Sequence, residues 1–503
     1  MSLENSNEEI TEKTIGVATA WSFAAEIAAK IIVPITNIVL ARILAPEAFG
    51  VIATINMVVS FADTFSTAGF QKYIVQHDFD SLQELYQGAT VAFWTNFSIS
   101  TFAWLLIAVF NSQIADFVGN SGYGFGLMIA ALSLPLTSFS CIQEALFQRQ
   151  LNYKVLFYRR LVVSLLPFFV TIPLALLGLG YWALIIGTLT GNVVKAILLT
   201  ITSEWKPRLF FDFNLLHEML SFSIWTLFES IAMWASSYID ILIISNGLGA
   251  YYTGLYKNSQ STVTSILTIV TGATTSVLFS SLSRMQDDDV KFNEVFYSFQ
   301  KSVAIFVLPI GVGIFFFSDL ITRILLGTQW LEASPFISIW GLCTSLVCVF
   351  GTFSREVYRA KGKPKISLIA QLLHLAFIVP VCLVAVQKGF DTLIYARSFA
   401  YLQIIVVHLF FIKIFFHMSP LKMFCTVKEP IICSVAMGGL AYLLLHYYKG
   451  NVLIQLIYVV ICAMFYFALL CLFKEYRVFF FDLFYKVKTK MTSFKKAHGK
   501  IEL

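Results

Sequence analysis

Apolar residues run along this chain in blocks of about 20, broken by short polar or Gly/Pro punctuation. A block of that length wound as an α-helix crosses the roughly 30 Å hydrocarbon core of a bilayer. A membrane β-barrel would instead alternate over segments of about 10 residues, and no such alternation is present. Breaking the chain at its punctuation predicts fourteen spans: 15–40, 48–68, 88–109, 123–142, 161–179, 181–201, 218–245, 252–278, 299–317, 332–353, 366–386, 392–413, 430–446 and 452–473. The links alternate between long charged ones and short neutral ones. The expected fold is an all-α polytopic membrane protein.

Composition agrees. Of 503 residues 58% are hydrophobic and 13% charged, against about 25% charged in a soluble protein, which excludes a water-soluble enzyme. Charge also sets direction. With the N-terminus inside, twenty-eight of the 35 Lys and Arg fall on the cytoplasmic side. Only Arg42, Arg323, Lys388 and Lys449 fall outside, and Lys30, Lys257 and Arg397 lie within spans. This bias predicts that both termini are cytoplasmic. The net charge of +6 is thus a topology signal and not a nucleic-acid signal. The tail mixes Phe479, Phe480 and Phe481 with Lys486, Lys488 and Lys490, which predicts an amphipathic segment on anionic inner-leaflet lipid. Residues 1–14 carry Glu4, Glu8, Glu9 and Glu12 against one Lys13, the wrong sign for a cleavable signal. The eight cysteines sit mostly in apolar runs and form no C-x-x-C pair, so neither a disulfide framework nor a metal site is expected. No cofactor motif is found.

Shifting the chain against itself by 204 places reveals a repeat. Trp21 meets Trp225, Ile27-Ala28 meets Ile231-Ala232, Leu44 meets Leu248 and Gly50 meets Gly254. Six spans separate the copies, so they point the same way, as in transporters built of parallel halves about an axis along the membrane normal. The implied division is 1–14 as a cytoplasmic segment, 15–201 and 218–413 as two six-helix lobes around a central cavity, and 202–217 as a linker. Two added spans fill 414–473, and 474–503 is the basic tail.

The helix exit running from Val39 through Arg42, Leu44, Pro46 and Gly50 to Val51, with Asp63, Gly69 and Gln76 after it, is echoed at Leu248, Gly254 and Leu278. These motifs resemble the Wzx-type oligosaccharide-lipid flippases, most closely the colanic acid exporter-like branch of the multidrug/oligosaccharidyl-lipid/polysaccharide exporter superfamily. The resemblance implies a non-enzymatic transporter. Its substrate would be an undecaprenyl-pyrophosphate-linked oligosaccharide repeat unit, moved from the inner to the outer leaflet of a bacterial inner membrane by alternating access. Capsule, O-antigen or exopolysaccharide synthesis would use the product, and a polysaccharide polymerase would be a partner. Two alternatives stand beside it. One is a multidrug/cation antiporter of the related branch, with twelve helices. The other is a membrane-embedded polysaccharide enzyme, a polymerase or an O-acyltransferase, which the short outer loops and the scattered histidines argue against.

Ionisable groups deep in a span cost about 2.5–3.5 kcal/mol on insertion scales, so they face a cavity or pair. Glu26 and Lys30 stand i, i+4 on span one, able to neutralise each other, and Glu229 aligns beside Glu26 in the second copy. Lys30, Arg397 and Lys257 are the candidate substrate contacts, Arg397 because a guanidinium grips pyrophosphate with two parallel hydrogen bonds. Glu26, Glu229 and Asp240 are the candidates for coupling to H+ or Na+. For Asp240, Lys257 and Arg397, about a turn from the outer face, snorkelling is the plainer reading. For Glu26 and Lys30 it is a closed structural pair. His374 is expected to be an interhelical hydrogen-bonding group.

Overall fold

Helices begin where the polar punctuation supplies a cap. In the computed structural model, which describes residues 21, 32–67, 69–448 and 450–478, Ser81, Asp288, Ser419 and Asn451 each accept a hydrogen bond from a backbone N–H three residues on. That satisfies one of the orphan donors of a first turn. At Ser81 the Glu84 carboxylate also reaches back to the Asp80 N–H at 2.8 Å, as in a capping box. Pro364 and Pro420 occupy first-turn positions, where a missing N–H costs nothing.

All regular structure among the described residues is helical. The first part comprises α1 (Ile32–Ile43), α2 (Pro46–Thr67), α3 (Phe70–Gln76), α4 (Leu82–Val109), α5 (Asn111–Phe117) and α6 (Gly124–Ala130). There follow α7 (Ser133–Arg149), α8 (Tyr153–Phe169), α9 (Thr171–Leu176), α10 (Tyr181–Thr202) and the long α11 (Phe213–Ser283). Among the described residues twelve helical stretches are long and apolar enough to cross a membrane, so the chain is a multi-pass membrane protein. Fourteen is not reached by that measure, for two reasons. Expected span one lies mostly outside the described residues, with only the shorter α1 visible. Expected spans seven and eight are two helices that meet at a kink with no loop between them, so they count as a single stretch. The backbone leaves helical geometry at Gly249 (φ 83°, ψ −179°), between the two expected spans.

Contacts group the chain into two units. The first comprises Met1–Ile269, Ile321–Trp340 and Lys363–Ile404; the second comprises Val270–Leu320, Gly341–Gly362 and Ile405–Leu503. In the first unit α2, α4, α6 and α10 bury Val51, Ile55, Ile107, Leu127 and Ile185 together. Large apolar residues such as Phe102, Phe169 and Ile201 stay exposed, as lipid-facing residues must. In the second unit Gly311 admits Ser345, Gly341 admits Ile314, and the Tyr466 hydroxyl donates to the Ile305 carbonyl at 2.8 Å.

One crossing in the first unit carries the repeat into three dimensions. A Cβ on Gly50 would fall on the carbonyl oxygen of Ala250, and a Cβ on Gly254 would fall on that of Pro46. Pro46 and Ala250 are themselves 204 apart, like Gly50 and Gly254. The contact is reciprocal, as a local two-fold axis requires. A looser echo lies nearby: Arg42 donates to the Ile324 carbonyl, and Asn246, its counterpart in the second copy, donates to the Phe117 carbonyl at 3.0 Å, the two acceptors standing three places out of the 204 register.

Candidate functional site

Past Gly249, α11 carries Lys257, Gln260, Ser261, Thr264, Ser265 and Thr268. Steps of three and one keep these on a single face of a 3.6-residue helix, a polar stripe, while Thr253, Asn258, Ser259 and Thr262 are polar on the other faces. With Arg160 of α8 and Val33 and Pro34 of α1, the stripe lines a cavity of about 460 Å³ within the first unit. The Thr268 hydroxyl donates to the Thr264 carbonyl at 2.6 Å. A helical Ser or Thr can thus spend its proton on its own backbone and keep lone pairs for a ligand. Lys257 lies 5.6 Å from the Tyr238 ring centroid. The walls therefore offer two cations, an amide and hydroxyls among apolar side chains, a surface suited to a polar, anionic ligand that brings apolar parts with it.

Behind the stripe lies a buried ion pair. Asp240 is 4% exposed and Arg397 6%, and the Arg397 Nη2 stands 3.3 Å from the Asp240 Oδ2. That oxygen also accepts from the Tyr256 hydroxyl at 2.6 Å, and the Tyr256 oxygen accepts from the Gln260 amide at 2.7 Å. A hydrogen-bonded chain thus leads from a cavity-lining residue to the pair. The guanidinium lies 5.0 Å from the Trp340 ring and 5.5 Å from the Tyr401 ring, while its Nε and Nη1 have no hydrogen-bond partner. Cation–π attraction meets part of the donor demand. His374 bonds Gln403 through Nδ1 at 3.1 Å and packs against Tyr401 at 5.7 Å.

The structure thus sorts the sequence candidates. Lys257 lines the cavity. Arg397 and Asp240 do not reach for the outer face by snorkelling; they are brought together and hold each other. Glu26 and Lys30 lie outside the described residues. Glu229 lies on α11, with its side chain outside the description. Sequence reasoning passed over the stripe and Arg160, although the cluster of polar residues at 257–265 inside a predicted span was in view.

Comparison with known proteins places this geometry. The family profile described as "Polysaccharide biosynthesis protein" matches residues 39–335. Over 344 residues the chain is 24% identical to the succinoglycan biosynthesis transport protein ExoT of Rhizobium meliloti (strain 1021), covering 68% of this chain and 69% of that protein. It is 25% identical over 368 residues to the lipopolysaccharide biosynthesis protein WzxC of Escherichia coli (strain K12), covering 72% and 70%. Among solved structures, the lipid II flippase MurJ in an inward closed conformation superposes with a TM-score of 0.74 at 17% identity, covering 92% of this chain and 100% of that one. An inward-facing multidrug resistance transporter of the MATE family gives a TM-score of 0.57 at 13% identity, covering 80% and 96%. These two likenesses are of fold. The profile takes in α2 through α11, including the Gly50–Gly254 crossing, the polar stripe and Asp240, and the chain belongs to the polysaccharide biosynthesis protein family.

Proposed function

We propose that the chain is a flippase that carries an undecaprenyl-pyrophosphate-linked oligosaccharide from the inner to the outer leaflet of a bacterial cytoplasmic membrane by alternating access. The observation that carries this reading is the cavity of about 460 Å³, whose polar face combines Lys257 and Arg160 with a ladder of hydroxyls. Sugar hydroxyls need exchanging hydrogen-bond partners, and a pyrophosphate leaving water needs cations to replace its hydration. Family membership supports the polysaccharide side, and ExoT is itself named a transport protein. The role is transport without covalent chemistry, and a polysaccharide polymerase is the partner that would consume the delivered unit.

In this reading, residues 15–201 and 218–413 are two parallel lobes around the central cavity and residues 414–473 add two spans; the amphipathic tail expected on inner-leaflet lipid lies mostly outside the described residues. Both termini are cytoplasmic. The reciprocal glycine crossing supports the parallel repeat. Lys257 contacts the substrate, and Lys30, outside the described residues, is kept as a second candidate contact. Coupling to H+ or Na+ falls to Glu26 or Glu229, because Asp240 already has its charge met by Arg397. A monovalent cation would have to displace a guanidinium to use it.

The test is transport by the purified chain in proteoliposomes, read as exposure of a polyprenyl-pyrophosphate oligosaccharide to a membrane-impermeant oxidant. Charge-assisted hydrogen bonds contribute roughly 1.5–3 kcal/mol, so Lys257→Gln should slow movement about tenfold or more while Lys257→Arg keeps most of it. Wild-type rates in Lys257→Gln would remove this cavity from the path.

A further inference from the structure

A second cavity in the first unit, of about 320 Å³, opens between α7, α8 and α10. Arg159, Arg160, Lys195 and Glu144 line it, three cations against one acid. Lys195 and Glu144 are already paired at 2.6 Å. Arg159 is different. It is 7% exposed, and both Nη1 and Nη2 lack any hydrogen-bond partner. Its guanidinium stacks on the Phe147 ring at 4.3 Å, which covers one face of the plane and leaves the in-plane N–H groups unused. The Glu144 carboxylate offsets part of its charge from a distance but makes no hydrogen bond to it, and a buried cation with unused donors is costly to hold. Both donors are sealed from solvent yet unused, so a small turn of the side chain into the adjoining cavity would let a bidentate anion complete them.

Depth says which anion. Arg159 lies six residues, about 9 Å, into α8 from its start, and Lys195 lies about 10 Å before the end of α10 at 1.5 Å per residue. Glu144 lies about 7 Å before the end of α7. The three helix ends belong to one side, the side that the distribution of Lys and Arg assigns to the cytoplasm. The groups therefore form one layer just below the inner headgroups. Next to them α8 and α10 expose Tyr158, Val162, Ile197 and Ile201, an apolar surface along which acyl or prenyl chains can lie.

We infer that this cavity binds the phosphate group of an anionic membrane lipid, held in two-point fashion by Arg159 with Arg160 and Lys195 supplying field. The inference concerns binding, so it stands or falls separately from transport. Arg160 lines both this cavity and the one carrying the polar stripe, which makes the site a neighbour of the proposed path.

The full chain, purified in neutral detergent and stripped of lipid, is titrated with phosphatidylglycerol, farnesyl pyrophosphate and uncharged diacylglycerol, with adducts counted by native mass spectrometry. Both phosphate-bearing lipids should bind at least tenfold more tightly than diacylglycerol. Arg159→Gln, checked for folding by its elution profile, should abolish that preference, and millimolar inorganic pyrophosphate should displace either lipid from the unaltered chain. Equal affinity for the two lipids identifies bulk phospholipid as the source. Tenfold tighter farnesyl pyrophosphate identifies a prenyl pyrophosphate. Diacylglycerol binding as well as phosphatidylglycerol, or a folded Arg159→Gln that keeps the preference, overturns the inference. So does failure of pyrophosphate to compete on the wild type, a readout that holds even if the variant does not fold.

Discussion

Asp240 and Arg397 are costly as separate buried charges and tolerable only as a pair. Their side chains are 6% and 7% exposed, so either alone would be a buried charge without its partner. Losing one member of such a pair costs about 3–5 kcal/mol, whereas removing both leaves no charge to compensate. In thermal unfolding of the detergent-solubilised chain, Asp240→Asn and Arg397→Gln should each lower the midpoint markedly. The double variant should recover much of the loss. Two harmless single variants would mean that water reaches the pair. This contact was not legible in the sequence, because its members stand 157 residues apart. Hydropathy placed both near a span end, where an exposed charge is cheap. Only the packing of Trp340, Tyr401 and Tyr256 around them seals them from water. The candidate site was readable to the extent that Lys257 could be picked out as an intramembrane cation. Its hydroxyl neighbours were in view but carried no charge to draw attention.

Among the elements, α2 and the second half of α11 meet at the tightest point of the first unit. Gly50 and Gly254 belong to the repeat found by sliding the sequence, so their equivalence was legible beforehand. That they touch each other was not, since a repeat gives equivalence but not distance. Either glycine replaced by alanine drives a methyl group into the facing backbone, which cannot rotate away as a side chain can. Overpacking of this kind costs about 1–3 kcal/mol, and the reciprocity of the contact makes Gly50→Ala and Gly254→Ala similar in effect. Gly439 has open space around its would-be Cβ and lies in a helix interior, where alanine is better than glycine by roughly 0.5–1 kcal/mol. Unfolding midpoints should therefore fall in the first two variants and hold or rise in Gly439→Ala. Equal midpoints in all three would show that the crossing is loose. The break at Gly249 teaches a related lesson. The sequence predicted two spans there, and two helices do meet at this one residue, whose positive φ only glycine adopts cheaply.

At the scale of the molecule, most of what was read from the sequence came from its coarsest features. Run length predicted an all-helical, multi-pass membrane protein. The short exit motifs with Pro46 and Gly50 pointed to the family. Both stand because they depend on the bilayer as a solvent and on backbone geometry repeated along the chain. The cavities and the buried pair depend on side chains brought together from distant helices, and no local pattern encodes those meetings. The central claim is that this chain moves a lipid-linked oligosaccharide across the membrane. It is tested most directly by locating that lipid in cells from which the gene has been removed. Spheroplasts of such cells, exposed to a membrane-impermeant glycosidase, should hold an accumulated undecaprenyl-pyrophosphate oligosaccharide that the enzyme cannot reach. Restoring the gene should return the oligosaccharide to the enzyme's reach and the polymer to the cell surface. Oligosaccharide equally open to the enzyme with and without the gene would contradict the account.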